Sequence, residues 1–298
     1  LLRLIAFQLG SEVSYEELMY RNSFQRTNPG LFVFLLDQSG SMEDPMRASN
    51  GLALDVNAAD AINSVINEMI LKLTTLDKNG EDIVKRSAFV SIIGYGGKGD
   101  GTGNQFDYEA ETITDGWIDE LAELPEAKSL LDGITDLVQV VKPVHGGGTP
   151  MASAFGAAKD LIEAWIQTHN TANDPAPVII NITDGEPTDS ITDLKNTVNA
   201  IKALSVPDGA PLIFNIHLTA KDNVTPVTYP SDINECSDDA SKLLFELSSE
   251  AHVDLISTIP ELQAKGLQGG EKLFMCNVGQ PAALIEFLKI GTPQNKLS

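Results

Sequence analysis

Positive charge is what this chain has least of: 20 Lys and Arg face 42 Asp and Glu in 298 residues, a net charge of −22. That balance excludes nucleic-acid binding, because phosphate contacts need a basic footprint, and it disfavours anionic membrane surfaces in the same way. Cysteine is nearly absent. Cys236 and Cys276 are too few for a disulfide scaffold, and neither sits in a metal-type spacing. Cys276 lies in an apolar run where a buried thiol is expected, and such sparse cysteine favours a reducing, cytoplasmic compartment. The four histidines, His145, His169, His217 and His252, are not at metal-ligand spacings. No apolar run is long enough to span a bilayer. Residues 1 to 9 are apolar but broken by Arg3 and lack a basic n-region or Ala-x-Ala site, so no signal peptide is expected.

What the chain does have is a set of oxygen-bearing residues at strand ends. The apolar run Leu31 to Leu36 empties into Asp37-Gln38-Ser39-Gly40-Ser41. Alternate residues of an extended segment point the same way, so Asp37, Ser39 and Ser41 can converge on one point. A site made only of oxygens suits a hard cation, and three ligands do not complete an octahedron. Two later segments each offer one more oxygen: Thr149, after the glycines at 146 to 148, and Asp184, after the apolar run Val178 to Ile182.

This trio of segments, in this order, resembles the metal-ion-dependent adhesion site of the von Willebrand factor A (VWA) family: Asp-x-Ser-x-Ser, then a Thr, then an Asp followed by Gly. All five positions match, and the resemblance covers about residues 30 to 290. It implies a metal held by Asp37, Ser39, Ser41, Thr149 and Asp184, with Mg²⁺ favoured and Mn²⁺ or Ca²⁺ possible. It also implies one coordination position left for an Asp or Glu of a partner protein. The run Asp-Gly-Glu-Pro-Thr-Asp at 184 to 189 resembles the tellurite-resistance-associated intracellular A-domain proteins. The expected function is therefore metal-dependent protein binding in assembly or regulation of a cytoplasmic complex, with a secreted or surface adhesion domain as the alternative. Glu43, Asp44 and Glu186 lie close to the site in sequence, where they hold outer waters or repel an acidic ligand.

Alternating apolar runs predict an α/β, Rossmann-like open sheet, six-stranded and mostly parallel, with helices on both faces. The organisation expected is an N-terminal extension at 1–29, one domain at 30–290 and a tail at 291–298. Residues 15 to 20 offer one or two helical turns. Helical spacing of apolar residues predicts a helix over 51–73. Strands are expected at 31–36, 87–93, 178–182, 211–218 and 273–278, and further helices at 238–250 and 281–288. Thr149 is placed as N-cap of a helix beginning at Pro150, whose N-terminus suits the anionic oxygen of an incoming ligand. Asp189 or Ser190 is expected to cap the helix that runs through Leu194, Val198, Ile201 and Leu204. Six glycines between 94 and 103 cannot hold a regular element cheaply and read as a hairpin insertion or a mobile loop.

Enzymatic readings fit less well. The nucleophile elbow Gly-x-Ser-x-Gly fails, because Asp37 precedes Ser39 and Ser39 precedes Ser41. A haloacid-dehalogenase-like, Mg²⁺-dependent phosphatase wants a second Asp where Ser39 stands. His145 is the only histidine near the proposed ligands in sequence and reads as an ordinary loop residue. The chain is thus expected not to be an enzyme.

Overall fold

A computed structural model of the chain describes residues 19–96 and 110–292. The first apolar run forms β1 (Gly30–Gln38), buried along its whole length, and α1 (Leu54–Leu73) follows. A short antiparallel ribbon, β2 (Thr74–Leu76) and β3 (Asp82–Val84), leads to β4 (Ala88–Gly96) and β5 (Ala110–Trp117). A single turn, α2 (Ile118–Leu121), precedes a second ribbon, β6 (Glu126–Lys128) with β7 (Asp136–Val138). The chain then alternates regularly through α3 (Met151–Ile166), β8 (Val178–Thr183), α4 (Ile191–Ala203) and β9 (Leu212–Leu218). It ends with β10 (Val227–Thr228), α5 (Asp239–Leu247), α6 (Val253–Thr258), α7 (Pro260–Ala264), β11 (Phe274–Val278) and α8 (Pro281–Gly291).

The central sheet has seven strands in the order β10-β11-β9-β8-β1-β4-β5, not the six expected. The five inner strands are parallel, while β5 and β10 run antiparallel at the two edges. The two edge strands carry no continuous apolar signal: Glu111, Thr112, Ile113 and Asp115 of β5 face solvent, and β10 has only two residues.

Strand periodicity builds both faces of the core. Phe32, Phe34 and Leu36 of β1 pack in one cluster with apolar residues of α1, α6, α7 and α8. Leu31, Val33 and Leu35 point the other way, into a cluster with α3, α4 and α5. The chain passes from β1 to β4 on one side and later returns to β8 on the other. The loops leaving the C-terminal ends of β1 and β8 therefore meet at the reversal of strand order, where open α/β sheets have their crevice.

Helix α1 begins at Leu54 rather than near Gly51, and it buries polar residues as well as apolar ones. Asp60 accepts from Ser129 Oγ at 2.7 Å and from the N–H groups of Leu130 and Leu131 at 2.8 and 3.2 Å. Asn63 accepts from the N–H groups of Val140 and Val141. The ribbon and its exit are thus fastened along α1 by side chains that would otherwise favour solvent.

Residues 19 to 29 join the core. Tyr20 and Phe24 are buried, Phe24 packs edge-on against Phe32 at 4.9 Å, and Arg21 pairs with Asp254 at 2.9 Å. The helical turns expected at 15–20 fall almost wholly outside the described residues, as does the glycine run beyond Gly96.

Candidate metal centre

Asp37 lies within β1, in register with Tyr95 of β4, and has no exposed surface. Its Oδ1 accepts the Ser39 N–H at 2.8 Å, and its Oδ2 accepts the Thr183 hydroxyl at 2.5 Å. Ser39 Oγ lies 3.2 Å from Ser41 Oγ, and Ser41 Oγ donates to Asp184 Oδ1 at 2.8 Å. Asp37, Ser39, Ser41 and Asp184 thus form one connected group spanning the ends of β1 and β8.

Thr149 reaches this group through the main chain. The Gly40 N–H donates to the Gly147 carbonyl at 3.0 Å, and the Gly146 N–H donates to the Gln38 carbonyl at 2.9 Å. Thr188 then clamps the loop from the far side. Its N–H donates to the Thr149 carbonyl at 3.0 Å and its Oγ1 accepts the Thr149 N–H at 2.8 Å. Thr149 is buried, and its hydroxyl makes no hydrogen bond among the described residues.

Two glycines make the approach possible. A Cβ on Gly96 would lie 2.6 Å from the Gly148 carbonyl oxygen and 2.8 Å from the Ser39 nitrogen, and its φ of +96° disfavours any side chain. A Cβ on Gly148 would lie 2.8 Å from Thr188 Oγ1.

Burial pushes the Asp37 carboxyl up to about 7; hydrogen bonds from Thr183 and Ser39 oppose the shift, and the nearby Asp184 charge adds to it. Asp184 is also raised, mainly by burial. Neither carboxylate has a basic partner among the described residues. Two desolvated carboxylates beside three hydroxyls, without a protein cation to neutralise them, form a donor set that fits a hard divalent ion. No three His, Cys, Asp or Glu side chains gather at metal-holding spacing among the described residues, so any cation here depends on the hydroxyls.

Several assignments made from sequence change. Pro150, not Thr149, is the N-cap of α3, and it offers no side-chain cap. Asp189 does that work instead: its Oδ2 accepts the Ser153 N–H at 3.1 Å, and it also bonds the Ala152 N–H. The helix N-terminus expected to await a ligand's anion therefore already holds an internal carboxylate. Of the two caps expected for α4, Ser190 is the one in place, accepting the Asp193 N–H at 3.1 Å. His145 binds Asp55 Oδ2 through Nδ1 at 2.8 Å. Thr183 and Thr188 were not expected at the site, whereas Asp189 was expected as a helix cap first and as an acid behind the ligands second. The short polar run from 183 to 189 was the only signal of the two threonines.

No family model and no curated protein matches the chain. Among solved structures, it is similar to the crystal structure of the SpRpn10 VWA domain, with 12% identity and a TM-score of 0.34 over 64% of this chain and 75% of that one.

Proposed function

We propose that this chain is a metal-dependent protein-interaction module of the von Willebrand factor A type. Asp37, Ser39, Ser41, Thr149 and Asp184 hold a divalent cation, Mg²⁺ first and Mn²⁺ or Ca²⁺ as alternatives. The observation that carries this reading is the hydrogen-bonded group of Asp37, Ser39, Ser41 and Asp184 around a fully buried carboxylate at the sheet's C-terminal edge. When bound, the cation supplies an electrophilic centre with room for one carboxylate of a partner protein. The protein's own residues set the geometry. Thr183 anchors Asp37, Asp37 orients the Ser39 main chain, and Thr188 fixes the loop that carries the free Thr149 hydroxyl.

Binding rather than catalysis is the better reading of this donor set. Of the two histidines near it, His145 is engaged by Asp55. His217 is buried, in register with Thr183 on β9. Among the described residues, neither ring makes a hydrogen bond to a side-chain oxygen of the donor set. Sparse cysteine, Cys236 and Cys276 alone, favours a reducing, cytoplasmic setting, and no described helix is long and apolar enough to cross a membrane.

The test is Mg²⁺ titration by calorimetry on the wild type and Asp37→Ala, followed by capture of partners from native lysate with Mg²⁺ or EDTA. Saturable binding lost in the variant, with a partner lost in parallel, is the expected result. Equal partner capture in all four conditions would move the function to another surface.

A further inference from the structure

Resting on the metal-binding reading of the site, we infer that the partner's acidic residue is flanked by lysine or arginine. Glu43, Asp44 and Glu186 belong to the two loops that supply most of the ligands, and all three are exposed. Glu43 keeps 74% of its side-chain surface open, and Asp44 lies near enough to Asp184 for their charges to interact. Among the described residues, neither Asp44 nor Glu186 has a side-chain hydrogen bond or ion pair.

Among the described residues, the ionisable nitrogen group that approaches these carboxylates is His145, and it is already engaged. His145 Nε2 lies 3.9 Å from Glu43, while its Nδ1 sits on Asp55 at 2.8 Å. Lys221 pairs with Asp238 at 3.6 Å. Arg47 pairs with none of the three rim carboxylates. A divalent cation would be neutralised by Asp37 and Asp184, which leaves the rim carboxylates uncompensated. A bare acidic ligand therefore meets like charge as it approaches the metal. An acid bracketed by basic side chains turns that repulsion into attraction. The rim acts as a selectivity filter around a site whose affinity comes from the metal.

The test uses immobilised heptapeptides with a central glutamate flanked on each side by lysine or by serine, and a lysine-flanked peptide with glutamine at the centre. The full chain is flowed over them with saturating Mg²⁺ or with EDTA. At low salt, the lysine-flanked glutamate peptide should bind roughly tenfold more tightly than the serine-flanked one, as two exposed opposite-charge pairs allow. That gap should close at high salt and in the triple variant E43Q/D44N/E186Q. Equal, Mg²⁺-dependent binding of both glutamate peptides overturns the rim inference and leaves the metal reading standing. Equal binding of the glutamine-centred peptide shows charge attraction without the metal and also overturns it. Glutamate-peptide binding unchanged by EDTA defeats both the inference and the metal reading beneath it.

Discussion

The Tyr95 hydroxyl donates to Asn181 Oδ1 at 2.7 Å, reaching across β1, which lies between their strands. The contact starts a buried polar relay. Asn181 Nδ2 donates to Asn215 Oδ1 at 2.9 Å, Asn215 Nδ2 to Ser248 Oγ at 2.9 Å, and Ser248 Oγ to the Leu244 carbonyl at 2.7 Å. Tyr95, Asn181, Asn215 and Ser248 are all fully buried, so each bond is made where an unmade one is expensive.

Asn181→Leu keeps the volume but strands the Tyr95 hydroxyl and Asn215 Oδ1. The expected destabilisation is about 2–5 kcal/mol, with Tyr95→Phe costing less, about 1–2 kcal/mol. Urea unfolding of both variants measures this. A wild-type midpoint for Asn181→Leu would show that the relay contributes nothing to stability.

The raised Asp37 carboxyl links stability to pH. Without metal, the folded state keeps this proton up to about 7, whereas the unfolded chain releases it near 4. Folded protein thus binds more protons between those values, and the contribution of Asp37 makes stability fall as pH rises through that window. Above about pH 7 the penalty is fully present. Asp37→Asn should flatten the slope, as thermal melts at stepped pH in EDTA would reveal.

In the proposed metal site, proton and cation would compete for the same oxygens. Mg²⁺ affinity should therefore rise with pH up to about 7 and then level off, because Asp37 must lose its proton before it can hold the ion. Mg²⁺ should also raise the melting temperature more at about pH 8 than at about pH 6. Calorimetry across that range checks the first expectation and melting curves the second; affinity independent of pH would take Asp37 out of the ligand set.

Asp60→Ala removes the acceptor that fixes Ser129, Leu130 and Leu131 to α1. The ribbon β6–β7 should loosen, at a cost of about 2–4 kcal/mol for a buried group with several partners. Hydrogen exchange at the Leu130 and Leu131 amides should quicken far more than at β1. Unchanged protection there would mean that the ribbon is held by other contacts.

The central strands were legible because they are buried on both faces, so Leu31 to Leu36 and Val178 to Ile182 read as unbroken apolar runs. Helices α1 and α3 were legible from their apolar spacing. β5 was not, because an edge strand exposing Glu111 and Asp115 needs no apolar pattern. Nor was the ribbon β6–β7, whose attachment relies on Asp60 and Asn63, residues that look like ordinary solvent-facing side chains in a linear sequence. At the candidate centre, the oxygen-bearing residues were readable as a pattern, while the supports from Thr183, Thr188 and Asp189 depend on contacts between distant loops.

Because Gly96 lets the Ser39 and Gly148 backbones come together with nothing between them, the spacing of the site's oxygens is inherited from main chain rather than negotiated by side-chain packing. A single methyl group at this position would act as a wedge, parting the loops while leaving every one of the five oxygen-bearing residues in place. Gly96→Ala is therefore a way to silence the site mechanically, and it separates the question of which atoms are present from the question of how far apart they stand.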